Sequence, residues 1–239
     1  MTIQAFFFLL LIFLSDIIQA ITGFAGTVVA MPPSLRLVGE DVAKPVLNLA
    51  AALICVYIAI KDRRSIRYKT FLVMLFCVVL GFAAGYGVER LPLDKELLLK
   101  LYGLSVSFIA VIYFAMDLKE KAIPSWLLYL CLFLGGVLHS LYVSGGPLVV
   151  IYAMKRFKDK DEFRANLSLM WIVLNSILFG TQLGQGLFTP YVSILALLAI
   201  AISFLSYFIG KKIAEKTPLP VFMKITYVLL FISGISLLL

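Results

Sequence analysis

Two short glycine-containing segments are the first candidates for chemistry, because each interrupts a long apolar run. The first is Thr22-Gly23-Phe24-Ala25-Gly26-Thr27, and the second is Ser144-Gly145-Gly146-Pro147. A helix that restarts after such a break begins with unpaired N–H groups and the positive end of its dipole. Glycine allows a ligand to approach the backbone, and proline suits the first helical position. The breaks therefore predict two anion-binding helix N-termini, although small residues for tight helix packing are the alternative.

Two ionisable side chains lie close to these breaks. Asp16 precedes the first break, and His139, the only histidine of the chain, precedes the second. An acidic residue deep in an apolar run costs roughly 2.5 to 3.5 kcal/mol to insert, so it calls for a partner or a role. Histidine titrates near neutral pH and could couple proton movement to an anion site. Both residues are thus candidates for proton coupling. The alternatives are a hydrogen bond from His139 to a freed carbonyl and a place for Asp16 at a hairpin mouth.

Further polar residues follow each break on the next apolar run. Lys44 and Arg164 occupy equivalent positions and could recruit anions at two mouths, or could simply flank a helix end. Asn48, Asn166, Ser168 and Asn175 offer neutral hydrogen-bonding groups that line a path or hold helices together. The residues that we expect to bind the anion are Gln19, Thr22, Gly23, Phe24, Gly26, Thr27, Asn48, His139, Ser144, Gly145, Gly146 and Ser168.

The composition predicts that the elements which position these residues are membrane-spanning segments. Of 239 residues, 62% are hydrophobic and 14% are charged, with a mean hydropathy of +1.05. The net charge of +8 comes from basic residues in short loops, which predicts membrane orientation and not nucleic-acid binding. The three cysteines, Cys55, Cys77 and Cys131, lie inside apolar runs, so we expect free thiols, no metal site and no cofactor. Residues 1–14 lack a positive leader region, so we expect them to remain as a membrane segment.

The apolar runs form two related halves, residues 1–120 and 121–239. A shift of 120 residues places Gln19 on His139 and Gly26 on Gly146. Each half has one long broken run followed by three simple ones. In the first half these are residues 3–35, about 45–60, 69–88 and 97–116; in the second they are residues 124–154, about 165–180, 188–210 and 221–239.

The charges of equivalent loops predict how the halves are oriented. Loop 61–69 holds five basic residues, whereas its counterpart, loop 181–189, holds none. Such a contrast is expected if equivalent loops face opposite sides of the membrane. We therefore predict an all-α polytopic membrane protein with an inverted repeat, in which each half has a broken re-entrant helical hairpin plus three transmembrane helices. Both termini then lie outside. A parallel repeat of four crossings in each half is the alternative.

The motifs together resemble those of a known family. The break and following proline at Gly23 to Pro32, the Ser-Gly-Gly-Pro at 144–147 and the Phe-Arg-Ala-Asn-Leu-Ser at 163–168 are similar to the sulfite exporter TauE/SafE family of membrane transporters. The resemblance covers about residues 6–239. It implies an inner-membrane transporter of bacteria or archaea for sulfite, sulfonates or other sulfur-containing organic anions. Phe24-Ala25-Gly26-Thr27 has less glycine than the family pattern, which narrows the cavity on that side.

The predicted function is a secondary carrier that moves a small anion by alternating access, driven by the substrate gradient or by protons. No Walker motif is present, so this chain is not expected to hydrolyse ATP. An anion channel is the nearest alternative. A membrane-embedded enzyme is a more distant one, because the chain has one histidine and no HExxH or GxSxG motif. The expected partners are the small anion and the lipid bilayer, and a homo-oligomer is left open.

Overall fold

The computed structural model describes residues 2–22, 25–115, 122–157, 159–216 and 219–238. Within these ranges all regular secondary structure is helical and there is no strand. The helices are α1 Ile3–Thr22, α2 Gly26–Val38, α3 Glu40–Lys61, α4 Tyr68–Glu89, α5 Lys95–Ala115, α6 Ser125–Tyr142, α7 Gly146–Arg156, α8 Lys160–Gly184, α9 Pro190–Lys216 and α10 Leu219–Ser236, with a short 3-10 helix at Arg63–Ser65.

Seven helices in the described part of the chain are long and apolar enough to cross a membrane: α1, α3, α4, α5, α6, α8 and α9. Their outer faces carry large exposed apolar side chains such as Phe76, Phe108 and Leu197, while asparagine, glutamine and histidine side chains are buried inside. Apolar groups outside and polar groups inside suit a lipid environment. The structure thus confirms the prediction of an all-α, multi-pass membrane protein.

The two longest apolar runs are each divided into two helices. In the first half α1 ends at Thr22 and α2 begins at Gly26; in the second half α6 ends at Tyr142 and α7 begins at Gly146. The members of each pair contact each other. With 13 and 11 residues, α2 and α7 are about 20 and 17 Å long, too short for a bilayer core of about 30 Å.

Two helices begin earlier than their apolar runs indicated. α3 starts at Glu40 instead of residue 45, and α8 starts at Lys160 instead of residue 165. Their first turns are polar, so a hydrophobicity pattern misses them. Acidic residues in the first turn stabilise both helices through the dipole. In α8, the Asp159 side chain also accepts hydrogen bonds from the N–H groups of Asp161 and Glu162, at 2.7 and 3.2 Å.

Helix packing repeats with the spacing seen in the sequence. α1 packs on α9, and α6 packs on α4. At the first interface a Cβ on Gly210 would lie 2.8 Å from the carbonyl oxygen of Ile17, and at the second a Cβ on Gly85 would lie 2.8 Å from that of Val137. Ile17 and Val137 are 120 residues apart. Both contacts need glycine because helix backbones meet there.

α3 and α8 pack side by side in opposite directions and define two ends of the molecule. At the Lys44 end lie Lys44, Glu89, Lys95 and Gln182, near the start of α3 and the end of α8. At the Arg164 end lie Arg67, Glu162, Arg164 and Tyr207. Arg67 pairs with Glu162 at 2.6 Å, which joins the loop after α3 to the start of α8.

Candidate functional site

Both helix breaks converge on one small cavity near the middle of the molecule. Its volume is about 20 Å³, enough for about one water molecule. Six helices line it. The lining residues are Gln19 and Thr27 from the first broken run, His139, Val143 and Gly146 from the second, Ala51 and Cys55 from α3, and Trp171 and Asn175 from α8.

At the first break, α2 begins against the side of α1. A Cβ on Gly26 would lie 2.5 Å from Gln19 Oε1 and 2.6 Å from Gln19 Cβ, so only glycine permits this approach. The N-cap residue is Ala25, whose side chain cannot accept a hydrogen bond from the first-turn N–H groups of α2. The predicted residues Gly23 and Phe24, and the side chain of Thr22, lie outside the described part of the structure.

At the second break, the chain leaves α6 through Val143 in a left-handed conformation with φ of 54°. The Val143 N–H donates to the His139 carbonyl at 2.8 Å, an arrangement that normally uses glycine. The Ser144 hydroxyl donates to the Tyr142 carbonyl at 2.7 Å and so serves the turn. A Cβ on Gly145 would meet the Gly135 carbonyl and lie 2.9 Å from His139 Cβ. Gly145 therefore lets the start of α7 lie against α6.

His139 is buried beside the cavity and is held by α8. Its Nε2 forms a 2.8 Å hydrogen bond with Oδ1 of Asn175, and its ring stacks on Trp171 with centroids 4.9 Å apart. The partner is a side-chain amide and not the freed main-chain carbonyl considered from the sequence. Within the described residues, His139 Nδ1 has no hydrogen-bond partner. The imidazole thus keeps one ring nitrogen available to a ligand or a proton.

Asp16 lies between the central cavity and the Arg164 end. It is buried and accepts a hydrogen bond from the Ser203 hydroxyl on α9. A narrow pocket of about 10 Å³ brings it near Gln19, Arg164, Ser168 and Tyr207. This placement is interior, away from the mouth of a hairpin. Asp16 therefore has a partner and also adjoins a polar space.

Lys44 and Arg164, the fifth residues of α3 and α8, lie at opposite ends. The Lys44 Nζ is 2.5 Å from Glu40 Oε1 and 2.9 Å from Glu89 Oε1. It also lies 5.5 Å from the centre of the Tyr142 ring, close to the second break. The Arg164 guanidinium donates to the Tyr207 hydroxyl at 2.8 Å. Both cations are engaged with a neighbouring helix.

The Lys44 end contains a large vestibule. Its volume is about 560 Å³, and a second space of about 180 Å³ shares part of its wall. Acidic and basic groups are mixed along it: Glu40, Asp41 and Glu89 with Lys44, Arg90 and Lys95. The pocket at the Arg164 end is far smaller, at about 10 Å³. Of these two pockets, the one at the Lys44 end is thus much the larger.

Polar side chains on α3 and α8 connect the vestibule to the cavity. The Asn48 amide nitrogen donates to the Asn175 carbonyl and to Gln182 Oε1, both at 3.1 Å. Asn166 lies elsewhere, at the Arg164 end, where it accepts from the Arg67 N–H at 3.1 Å and stabilises the loop after α3.

The sequence did not predict four residues of this region: Ala51, Cys55, Trp171 and Gln182. The available signal was their helical spacing from Asn48 and Asn175, which places them on the same faces.

The fold and this interior site define a multi-pass membrane transport protein. The chain matches the family model described as sulfite exporter TauE/SafE over residues 8–237. It therefore belongs to that family of membrane transporters, which confirms the resemblance seen in the motifs. It is 26% identical over 176 residues, 73% of each chain, to a protein of Comamonas testosteroni described as a probable inner membrane transporter protein TsaS. No solved structure matches the chain.

Proposed function

We propose that this protein is a secondary transporter of a small sulfur-containing anion, such as sulfite or an organosulfonate, across the bacterial inner membrane. The observation that carries the proposal is the central cavity, because residues from both helix breaks line it together. The family description and the membrane location in the relative's name support the substrate class and the compartment. Sequence and packing thus favour one anion site shared by the two halves.

The electrostatics of the cavity suit an anion. Each helix N-terminus carries a partial charge of about +0.5, so α2 and α7 together supply roughly one positive charge. None of the residues that line the cavity is basic apart from His139. A site made of backbone dipoles, amides and a hydroxyl binds an anion without holding it in a permanent ion pair. Such moderate binding suits a carrier, which must also release its substrate.

The inverted arrangement with re-entrant hairpins is part of the proposal. If each broken run crossed the membrane completely, loops 61–69 and 155–164 would lie on opposite sides. The ion pair between Arg67 and Glu162 instead supports a shared side. Short α2 and α7, together with the antiparallel packing of α3 on α8, support the same arrangement. The basic loops favour a cytoplasmic Arg164 end and a vestibule that opens to the outside.

Alternating access explains why one end is wide and the other narrow. The vestibule at the Lys44 end leads towards the cavity, whereas Arg164 and Tyr207 close the other approach. An open anion channel, the alternative, would need a continuous path. We infer that movement of the halves would open the Arg164 end and close the vestibule. His139, through its free ring nitrogen, and Asp16, beside the path, are the candidates for coupling this movement to protons.

Binding and transport of defined anions test this function. The purified protein is screened by thermal shift with sulfite, thiosulfate, methanesulfonate and acetate, because a ligand of the folded state raises its apparent stability. Counterflow of radiolabelled sulfite in proteoliposomes then separates a carrier from a channel, since only a carrier exchanges one anion for another. Stabilisation by a sulfur anion together with counterflow is expected. The proposal fails if none of the sulfur anions binds or exchanges.

Thiol labelling tests the topology independently. Single cysteines are placed in loops 61–69, 159–164 and 181–189 of a variant in which Cys55, Cys77 and Cys131 are replaced by serine or alanine. With an impermeant reagent, the first two loops should react from one side and the third from the opposite side. If loops 61–69 and 159–164 react from opposite sides, the broken runs cross the membrane and the inverted arrangement is wrong.

A further inference from the structure

A hydrogen-bonded series of side chains crosses the space between the vestibule and the central cavity. Gln182 lines the vestibule, and its Oε1 accepts from the Asn48 amide. Asn48 also donates to the main-chain carbonyl of Asn175, whose own side chain holds His139 at the cavity. An anion that passes from the vestibule to the cavity between α3 and α8 must therefore move past Asn48 and Gln182.

This amide pair is buried and incompletely satisfied. Asn48 is 0% exposed and Gln182 is 2% exposed. Across the ranges that the structure describes, Asn48 Oδ1 and Gln182 Nε2 have no hydrogen-bond partner. A buried polar atom without a partner destabilises the folded protein, because it has lost its hydrogen bonds to water. Helix packing alone does not require such a cost, because two apolar side chains of similar size would avoid it.

The orientation of both amides follows from one main-chain group. The Asn175 carbonyl can only accept, so Asn48 must turn its amide nitrogen towards it. That nitrogen then also faces Gln182, which must present its oxygen. The pair is left with a donor, Gln182 Nε2, and an acceptor, Asn48 Oδ1. A ligand that satisfies both must bring a negative or lone-pair oxygen and an O–H group, as an anion with one retained water does.

We propose that Gln182 and Asn48 form a second binding station for the transported oxyanion, between the vestibule and the central cavity. Gln182 Nε2 donates to an oxygen of the anion, and Asn48 Oδ1 accepts from a water that remains with it. Asn48 also positions Gln182. The station lets the anion lose its hydration in two steps, which lowers the barrier to entry. This inference rests on the proposed anion transport and adds a contact outside the central cavity.

The substitution Gln182→Glu tests the station with almost no change in shape. It keeps an oxygen that accepts from Asn48, replaces the donor nitrogen by a second oxygen and adds a negative charge that repels the anion. The matched control is Gln185→Glu, at an exposed position of the same vestibule. Equilibrium exchange of radiolabelled sulfite in proteoliposomes gives KM and kcat separately. Loss of a hydrogen bond to a charged ligand predicts a KM about ten- to hundredfold higher for Gln182→Glu, with kcat within twofold, and no comparable change for the control.

A second variant separates binding from folding. Gln182→Leu removes the donor without adding a charge, and its thermal stability shows whether the protein is intact. The station is supported if Gln182→Leu also raises KM while remaining folded. It is rejected if KM stays at the wild-type value in both variants, or if the control shows the same rise. Absence of exchange of every sulfur anion by the wild-type protein would reject the proposed function together with the station, so the two failures are distinguishable.

Discussion

The two ends of the molecule differ in the contacts made by Lys44 and Arg164 and in the size of the pocket beside each residue. At the Lys44 end, Lys44 forms ion pairs with Glu40 and Glu89 beside a vestibule of about 560 Å³. At the Arg164 end, Arg164 forms a hydrogen bond with the Tyr207 hydroxyl beside a pocket of about 10 Å³. Lys44 thus makes the stronger electrostatic contacts, and Arg164, its equivalent, makes the weaker one.

This difference suggests that Lys44 and Arg164, at equivalent positions, have different roles, one in a stable wall and one in a contact that can open. The Lys44 ion pairs connect α3 to α4, and Lys95 adds a contact from α5 to Glu40 at 3.7 Å. These ion pairs join α3, α4 and α5 along the wall of the vestibule. The Arg164 bond joins α8 to α9 through a single neutral acceptor, worth about 1.5 kcal/mol. In the proposed transport cycle a contact of that size can break, whereas the Lys44 cluster can remain intact.

The largest effect on sulfite exchange is expected at the central cavity, which lies between the two ends. Gly145→Leu should abolish sulfite exchange, because even a Cβ at this position meets the Gly135 carbonyl and His139. Gly180→Leu is the control, since a Cβ there has open space around it. Exchange is measured in proteoliposomes after quantifying folded protein. Exchange by Gly145→Leu at the wild-type rate would exclude the central cavity from the path between the ends.

Removal of the Lys44 charge should destabilise the wide end. Lys44→Met leaves Glu40 and Glu89 without their buried cation, and both carboxylates are about one-third exposed, so the loss is about 1–3 kcal/mol. The melting temperature of the purified protein is expected to fall. Lys95→Met should change the free energy of unfolding by less than about 0.5 kcal/mol, because the Lys95 side chain is 84% exposed. Equal effects of the two substitutions would show that the buried cluster does not stabilise this end.

The substitution His139→Gln tests whether protonation at the central cavity changes the transport rate. Glutamine in its place keeps a donor for Asn175 Oδ1 but cannot take up a proton. If His139 couples protons, the wild-type rate should change by up to roughly tenfold per pH unit, and His139→Gln should remove most of that dependence. Exchange rates are compared from about pH 5.5 to about pH 8, the range in which an unperturbed histidine titrates. If the pH profile of the variant is unchanged, His139 does not couple protons, and Asp16 is the remaining candidate.

Local signals in the sequence predicted the breaks, because glycine, proline and hydrophobic runs act over a few residues. Gly26 and Gly146 begin α2 and α7 as their spacing of 120 residues indicated. The partners of the polar residues could not be predicted in the same way. Gln182 meets Asn48, and Glu89 meets Lys44, only because α8 packs on α3, and α4 on α6 and α8, in one particular register. That register depends on the surfaces of several helices at once.

The smallest effect is expected at the narrow end. Tyr207→Phe removes the hydroxyl that accepts from Arg164 and should weaken closure by about 1.5 kcal/mol, a roughly tenfold change in the population of open molecules. A cysteine at Ser168, which lines the pocket at this end, should then react about tenfold faster with a thiol reagent. Tyr57→Phe is the control, because Tyr57 packs edge to face on Tyr207, with ring centres 5.7 Å apart, without taking part in the Arg164 bond. If both variants label at the wild-type rate, the Arg164 bond does not close this end, and closure must come from the packing of α1 and α3 on α9.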